Sequence, residues 1–485
     1  MDISLSRSNP TAVEADAIVV LQEEPAEGKI VPRPDLAGPA AALYESSEIT
    51  GKLLELTLLH GVAGFAAKRV LVAGVGKTGK LTPTQLRRIS GAAVRLLKGK
   101  GVNTIAFAAE SKPDQVALIA EGALLGLWEP DQHKSEPDKK TISTFMVVVS
   151  GADPALDAAL LQGKVLGEAA NLSRDIAVQP PNLLTPLALA ARARAMAEAN
   201  GLSVDVLDQD RMKQLGMGAL LGVAQGSAEP PALIVLSYKP SAAKSSAHLG
   251  FVGKGVTFDT GGISIKPSDG MEKMKYDMAG AAAVIGTMQA IAQLKPAVQV
   301  TALIPTVENM PGGKAQRPSD IVKSLSGKTI EVLNTDAEGR LILADAITYA
   351  KQLGCTHLVD VATLTGAIVV ALGSHASGMF SNDESLASAW TAASEAGCER
   401  MWRMPIFDEY RDQLKSVYAD IGNIGGREGG ACTAAVFLKE FVGDTPWVHI
   451  DNAATAWLDD AKPWMSKGPT AVPIGSFVNL ALNWK

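Results

Sequence analysis

An α/β protein built as two domains is the fold class this sequence predicts, and three observations carry the prediction. Short runs rich in aliphatic and β-branched residues alternate with amphipathic stretches along the chain, the rhythm of βαβ units around a mainly parallel sheet. The 485 residues exceed the ~250–300 at which a single core stops growing. One long helical stretch ends at Gln179-Pro180-Pro181-Asn182. Because a proline pair cannot continue a helix and pushes its predecessor extended, the hand-over between domains is expected there.

In the first domain, residues 1–150, strands are read at 16–21, 69–73, 104–108 and 144–149. Amphipathic segments around 40–59, 84–97 and 114–127 lie between them, and a polar stretch at 129–140 reads as a loop. Residues 151–178 form the linking helix, clearest over 153–176. The second domain, 179–485, resumes the alternation from Thr185, around a sheet expected to be mixed. Strands are predicted at 232–236, 248–253, 299–304, 329–333 and 357–361, and helices at 187–199, 279–294, 341–353 and 386–397. The chain has no internal repeat and no low-complexity tract.

The bulk numbers narrow the function. With 47% hydrophobic and 20% charged residues and a net charge of -6, the chain reads as soluble, with no overall pull towards nucleic acid or anionic membrane. Cys355, Cys398 and Cys432 are odd in number and far apart, which suggests neither a disulfide framework nor a zinc knuckle and fits a reducing compartment. The first residues lack the basic start and long apolar stretch of a signal peptide. The longest apolar runs, such as 367–372, fall short of the ~18–20 residues that span a bilayer. A cytoplasmic protein with no membrane partner is expected.

Every cluster of candidate chemistry falls in the second domain. Residues 334–341, NTDAEGRL, place Asp336, Glu338 and Arg340 where a strand ends and a helix begins, the usual seat of chemistry in α/β proteins. Upstream, Lys254, Asp259, Lys266 and Asp277 are threaded through a glycine-rich, otherwise apolar run. Lys254 and Asp259 can share a site only if the extended backbone kinks, which Gly255, Gly261 and Gly262 permit. Asp277 precedes a run of small residues suited to a tightly packed helix, whose N-terminal dipole favours an acid. Carboxylates in an apolar setting require compensation, and a pair of divalent cations is the simplest form of it. Oxygen-rich sites suit Mg²⁺ or Mn²⁺, although carboxylate-bridged pairs also accept Zn²⁺. A lysine ligates metal only as the neutral amine, its pKa depressed by the cations beside it.

Residues 252–266 and 334–341, with 274–282 (MKYDMAGAA), closely resemble the leucyl aminopeptidase family of dinuclear metallo-exopeptidases. The likeness runs from about Asn171 through 430–435 (GACTAA) to 447–451 (WVHID); over the first domain it rests on rhythm alone. The resemblance implies an N-terminal domain of macro-like fold and a C-terminal catalytic domain that releases N-terminal residues, leucine or other apolar residues preferred. It implies that Lys254, Asp259, Asp277 and Glu338 hold one metal ion, and that Asp259, Asp336 and Glu338 hold a second, more exchangeable one. Mn²⁺ or Zn²⁺ is implied, with Mg²⁺ the third candidate. Lys266 matches the lysine that stabilises the developing oxyanion, and Arg340 the arginine that retains a bicarbonate used as general base. A hydroxide between the ions would attack the amide, and the free amine of the peptide substrate would coordinate the first ion, restricting cleavage to the terminal residue. The pocket for the first side chain would comprise Met274, Asn334, Ala337, Thr363, Leu364, Gly366 and Ala453. A methionine-lined pocket accepts several apolar shapes. The chain departs from the family where DIAG and KGATG are usual, reading Asp451-Asn452-Ala453-Ala454 and Lys467-Gly468-Pro469-Thr470-Ala471. A homohexamer with active sites facing an inner cavity is the implied assembly.

Other readings compete. Lys68 to Lys100 carries basic residues and no acid, and some bacterial relatives of the family double as DNA-binding proteins, so a DNA-binding regulatory role is the alternative. Against it stands a solvated helix face with Arg87, Arg88 and Arg95 turned outward. A di-metal phosphoesterase is the third reading, weakened by the absence of histidines from the cluster. Residues 71–78 (LVAGVGKT) mimic a phosphate-binding loop, but Leu71 stands where glycine is required and Gly79-Lys80-Leu81-Thr82-Pro83 follows in place of a helix. The six histidines are scattered, and only His449, beside Asp451, is placed to shape a site.

Overall fold

The structure, a computed structural model, describes residues 1–138 and 140–484. Two compact units divide the chain, one of Met1–Asn171 with Asp459–Gly468, the other of Leu172–Leu458 with Pro469–Lys485. The division falls inside the long helix rather than at its ends, and the first unit also recruits a late segment. The packing explains both. Leu156 and Ala159 of the helix lie in the first unit's core and Ile176 and Ala177 in the second's. The Ser466 hydroxyl donates to the Trp128 carbonyl, and the Arg88 guanidinium lies 4.6 Å over the Trp464 ring.

The first unit contains strands β1 (Asp2–Ser6), β2 (Ala17–Glu24), β3 (Leu56–His60), β4 (Arg69–Lys77), β5 (Thr104–Ala108) and β6 (Thr144–Val148). Its helices are α1 (Ala41–Glu45), α2 (Pro83–Gly99), α3 (Pro113–Leu127) and most of α4 (Pro154–Ala177). The sheet order is β1-β6-β5-β2-β4-β3, parallel except for β3 against β4. Both faces of β2 and β4 are buried, Val19 and Leu71 on one side and Ile18 and Val70 on the other, as continuous apolar strands require. The amphipathic reading at 40–59 holds only over α1. Beyond it Leu56 and Leu58 face one core and Leu59 the other, a period of two that makes an edge strand. Strand β1, at the opposite edge, is absent from the sequence reading.

The arginines of α2 do not form an outward face. Arg87 pairs with Glu121 at 2.6 Å, Arg95 with Glu129 at 2.9 Å, and the buried Lys98 with Asp138 at 3.3 Å. Gly91 and Gly126 bring the backbones of α2 and α3 together, so the flanking cations reach across to the acids of α3 and the loop after it.

The second unit is built on β7 (Ser203–Leu207), β8 (Ala232–Tyr238), β9 (His248–Gly253), β10 (Gly255–Asp259), β11 (Gln299–Asn309), β12 (Ile321–Lys323), β13 (Thr329–Glu331), β14 (His357–Ala362), β15 (Ser377–Ser381), β16 (Met401–Arg403), β17 (Ile421–Gly422) and β18 (Trp447–Asp451). The main sheet is mixed, in the order β16-β15-β18-β14-β9-β11-β8-β7, with β10 also on β11; β12, β13 and β17 form a small separate sheet. Its centre, β18-β14-β9-β11, is parallel. Helices α5 (Pro186–Ala199), α6 (Gln209–Leu215), α7 (Gly218–Ala224), α8 (Ala279–Leu294), α9 (Glu338–Gln352), α10 (Gly366–Leu372), α11 (Glu384–Ala396), α12 (Glu409–Asp412), α13 (Gly430–Val442) and α14 (Ile474–Leu482) complete it. One apolar core joins α7, α9 and α13 to one face of the sheet, and another joins α5, α8, α11 and α14 to the opposite face. Among the described residues no helix is long and apolar enough to cross a membrane.

Lys254 is the break between β9 and β10. Its N–H donates to the Val361 carbonyl at 3.0 Å and its carbonyl accepts from Ala281 N–H at 2.8 Å, so the first turn of α8 is bonded to the strand. Gly280 makes this approach possible, because a Cβ there would lie 2.4 Å from the Val361 oxygen. Gly280→Ala is therefore expected to destabilise the protein by about 1–3 kcal/mol through backbone displacement. Urea denaturation checks it, and a midpoint equal to the parent's would contradict the packing described.

Candidate metal centre

Four chain segments meet where the parallel strands end. Asp259 closes β10, Asp277 lies just before α8, Glu338 opens α9 with Asp336 two residues earlier, and Thr363 follows β14. This is the carboxyl edge of the sheet, where helix N-termini converge and favour negative charge. The loop 260–266 bends back through Gly261 and Gly262, at φ +86° and +66°, so that Lys266 N–H reaches the Thr260 carbonyl at 2.8 Å. The Thr335 hydroxyl donates to the Gly261 carbonyl at 2.6 Å and accepts from Ser264 N–H at 2.8 Å, locking this loop to the segment that carries Asp336.

Two ammonium groups interleave with the acids. Lys254 Nζ lies 2.9 Å from Asp277 Oδ2 and 2.9 Å from Glu338 Oε1, and donates to the Thr363 carbonyl at 2.8 Å. Lys266 Nζ lies 2.9 Å from Asp259 Oδ2 and 2.5 Å from Asp336 Oδ1. Asp259 Oδ1 accepts from Gly261 N–H at 2.9 Å and from Asn309 Nδ2 at 2.8 Å; Thr363 Oγ1 donates to Asp277 Oδ1 at 2.7 Å. A side chain at Gly339 would collide with Lys254, its Cβ 2.9 Å from Nζ.

Four acids face two ammoniums in a buried setting, and the imbalance shows in their protonation. Burial, reinforced by Asp259, pushes the Glu338 carboxyl well above the usual carboxylate range, and burial also raises Asp277 and Asp336. Burial alone would depress the two lysines, but the surrounding carboxylates outweigh it and hold both ammoniums above their ordinary values. Asp259, Asp336 and Glu338 each offer a carboxylate oxygen, all within 4.8 Å of one another. An excess of hard oxygen donors at this spacing fits a divalent cation.

Arg340, buried one turn into α9, donates from Nη1 to the Asn423 carbonyl at 2.8 Å, and its Nε has no partner among the described residues. Burial pulls the guanidinium down to about 10, still charged at neutral pH. Of the residues expected in the substrate pocket, Met274, Asn334, Ala337, Leu364 and Ala453 are half-buried and Gly366 is exposed. Thr363 is buried, and its carbonyl and hydroxyl hold Lys254 and Asp277. Asn452, one departure from the family pattern, is fully buried and donates to the Val472 carbonyl at 2.9 Å, a role in holding the chain. The sequence reading lacks Asn309 and Asn423. Asn309 ties Asp259 to the Thr335 carbonyl, and the Asn423 amide accepts from Leu333 N–H at 2.7 Å and donates to the Asn334 carbonyl at 2.7 Å. Nothing near Asn423 in sequence flags it; Asn309, the last residue of a strand at the active edge, carried a weak signal.

Fold and site together define a two-domain α/β protein with a carboxylate-rich candidate metal centre. The family model described as "Cytosol aminopeptidase family, catalytic domain" matches residues 171–478, and that of the family's N-terminal domain matches residues 21–137. Similar relatives include a probable cytosol aminopeptidase of Solibacter usitatus, 56% identical over 100% of both chains, and one of Koribacter versatilis, 48% identical over 99% of both. Among solved structures, a mutant of tomato leucine aminopeptidase is 32% identical with a TM-score of 0.90, over 99% of this chain and 96% of that one. The bottromycin maturation enzyme BotP in complex with Mn is 34% identical with a TM-score of 0.87, over 96% and 99%. The chain belongs to the cytosol aminopeptidase family, and it is a metal-dependent aminopeptidase.

Two outcomes follow from the charge imbalance. Mn²⁺ at 100 times its dissociation constant should stabilise the parent protein by about 2.7 kcal/mol, a shift that Glu338→Gln should largely abolish; thermal unfolding with and without the ion checks this. Acids held protonated by burial must ionise to bind metal, so apparent Mn²⁺ affinity should rise between about pH 6 and about pH 8. Calorimetric titration at several pH values would reveal a flat profile if these acids are not the ligands.

Proposed function

We propose that the chain removes the N-terminal residue of peptides, preferring leucine or another apolar residue, at a pair of divalent ions held by Lys254, Asp259, Asp277, Asp336 and Glu338. The observation that carries this reading is the interleaving of Lys254 between Asp277 and Glu338 and of Lys266 between Asp259 and Asp336. It brings acids from distant segments together with too little positive charge of the protein's own. When bound, the ions supply Lewis acidity, acidifying water and polarising a carbonyl.

The chain's own groups have distinct tasks in this reading. Lys254, Asp259, Asp277 and Glu338 would hold the ion that receives the free α-amine of a peptide, which restricts cleavage to the terminus. Lys266, less buried than Lys254, presents its ammonium to the carbonyl oxygen of the scissile amide, where negative charge develops. Arg340 keeps its charge in the interior and would retain a bicarbonate as general base. Met274, Leu364 and Ala453, with Asn334, Ala337 and Gly366 around them, would receive the first side chain. The name of the tomato relative and the Mn in the BotP complex support the apolar preference and the choice of Mn²⁺. Assembly as a homohexamer would cover exposed apolar side chains such as Trp402, Phe407, Val417 and Val370.

Full-length protein with Mn²⁺ should hydrolyse L-leucine p-nitroanilide and leave p-nitrophenyl phosphate intact; the reverse outcome would move the site to phosphoryl transfer. Lys266→Ala should lower kcat roughly 10²–10³-fold, as for loss of one oxyanion donor. Metal analysis should find its two ions still bound, and their loss would make Lys266 a ligand.

A further inference from the structure

The walls of the pocket proposed for the first side chain are not held alike. Asp451 Oδ1 accepts from Leu364 N–H at 3.1 Å and from Ala453 N–H at 3.2 Å, so one oxygen of a fully buried carboxyl group fastens two of them. The turn after Ala453 is closed by Thr455 N–H and Ala456 N–H on the Asn452 carbonyl, at 2.9 and 2.8 Å. Met274 stands elsewhere, in the 3₁₀ helix Met271–Tyr276, which starts at Gly270 with φ +78°, has no side-chain cap and buries none of its residues. Asp277 is anchored just beyond it, where the Thr363 hydroxyl reaches its carbonyl at 3.2 Å and its Oδ1 at 2.7 Å.

A short helical turn with so little buried surface opens at low cost unless side chains brace it. The brace is aromatic. The Tyr276 ring stacks on the Trp457 ring, centroids 5.4 Å apart and planes 23° from parallel, and Lys275 Nζ lies 5.7 Å from the centre of the same indole. Both are favourable arrangements, the one for an aromatic pair and the other for a cation over a ring. Trp457 is itself fixed from behind. Thr470 N–H donates to the Ala456 carbonyl at 3.0 Å, and the Thr470 hydroxyl donates to the Thr455 carbonyl at 2.7 Å. The indole N–H is buried with no partner among the described residues, so the ring holds the helix through its face. Trp457 follows Ala453 by four residues and Tyr276 follows Met274 by two, so the stack joins the two segments that bring Met274 and Ala453 to the pocket.

We propose that Trp457 is a positioning residue that determines specificity: its stack with Tyr276 sets how far Met274 stands from Ala453 and so fits the pocket to a leucine-sized first side chain. The inference rests on the aminopeptidase function proposed above. Without the ring, the 3₁₀ helix is free to swing outward while Leu364 and Ala453 stay on Asp451. A large apolar side chain then loses one wall of its contact, and alanine, which reaches less far, loses little. Lys254, Asp277 and Glu338 are tied together, and to Thr363, by bonds that do not involve Trp457, so metal content separates this role from damage to the centre.

The experiment uses the full-length, Mn²⁺-loaded protein, with kcat and KM for L-leucine p-nitroanilide and L-alanine p-nitroanilide, bound Mn and thermal midpoint measured together. Trp457→Ala is expected to lower the leucine-to-alanine ratio of kcat/KM about tenfold, the worth of roughly one methylene of pocket contact, chiefly through a higher KM for the leucine substrate and with bound Mn unchanged. Trp457→Phe, which keeps a ring face, is expected to stay within about twofold of the parent ratio. A parental ratio in Trp457→Ala, an equal loss on both substrates, or a loss that tracks released Mn would each overturn the proposal. So would a Trp457→Phe variant as unselective as Trp457→Ala. If Trp457→Ala does not fold, Trp457→Leu, apolar but without a flat face, decides alone: a lowered ratio supports the proposal and a parental one overturns it. A parent that cleaves neither substrate would instead defeat the aminopeptidase reading itself, and one that cleaves both equally well would defeat the pocket assigned to the first side chain.

Discussion

The surplus of carboxyl groups over ammonium groups at the carboxyl edge of the main sheet is the constraint around which the site of the second unit is built. Asp259, Asp277, Asp336 and Glu338 are brought together by a bent loop, two helix starts and a strand end, and Lys254 and Lys266 neutralise only part of them. No apolar packing would favour such an assembly. What holds it is backbone: the strand broken at Lys254, the start of α8 bonded to that break, and Thr335 and Ser264 stitching the Asp336 segment to the glycine loop. The local rules of stability are relaxed where the chemistry is placed, which is where relaxation is expected in a functional protein.

The two glycines at the helix starts show how closely this is fitted. Gly280 lets α8 touch the strand backbone, and Gly339 leaves room for the Lys254 side chain against α9. Both work through the absence of a side chain. Lys254 is thereby confined between the two helix N-termini that also present Asp277 and Glu338, so one residue couples strand, helices and charge.

Much of this was legible in the chain. The parallel strands 104–108 and 248–253 and the helix 279–294 coincide with β5, β9 and α8, because aliphatic runs and 3.6-residue periodicity are local signals. The acids and lysines of the centre could be picked out because charge in an apolar, glycine-rich run is conspicuous. The edge strands β1 and β3 were not legible: a strand paired on one side only carries a weak pattern, and the amphipathic stretch around it imitates a helix. Asn309 and Asn423 were not singled out because a buried amide acquires meaning only from the groups that it meets in space. The inward pairing of Arg87 and Arg95 was equally hidden, since it depends on backbone contact between α2 and α3.

The segment Asp459–Gly468 belongs to the first unit although more than 280 residues of the second precede it. During translation the first sheet and its helices leave the ribosome long before Trp464 and Ser466 are made. The contacts of Trp464 with Arg88 and of Ser466 with the Trp128 carbonyl therefore form only when nearly the whole polypeptide has emerged. Completion of this unit is tied to completion of the chain, and a product truncated before residue 459 would lack these contacts.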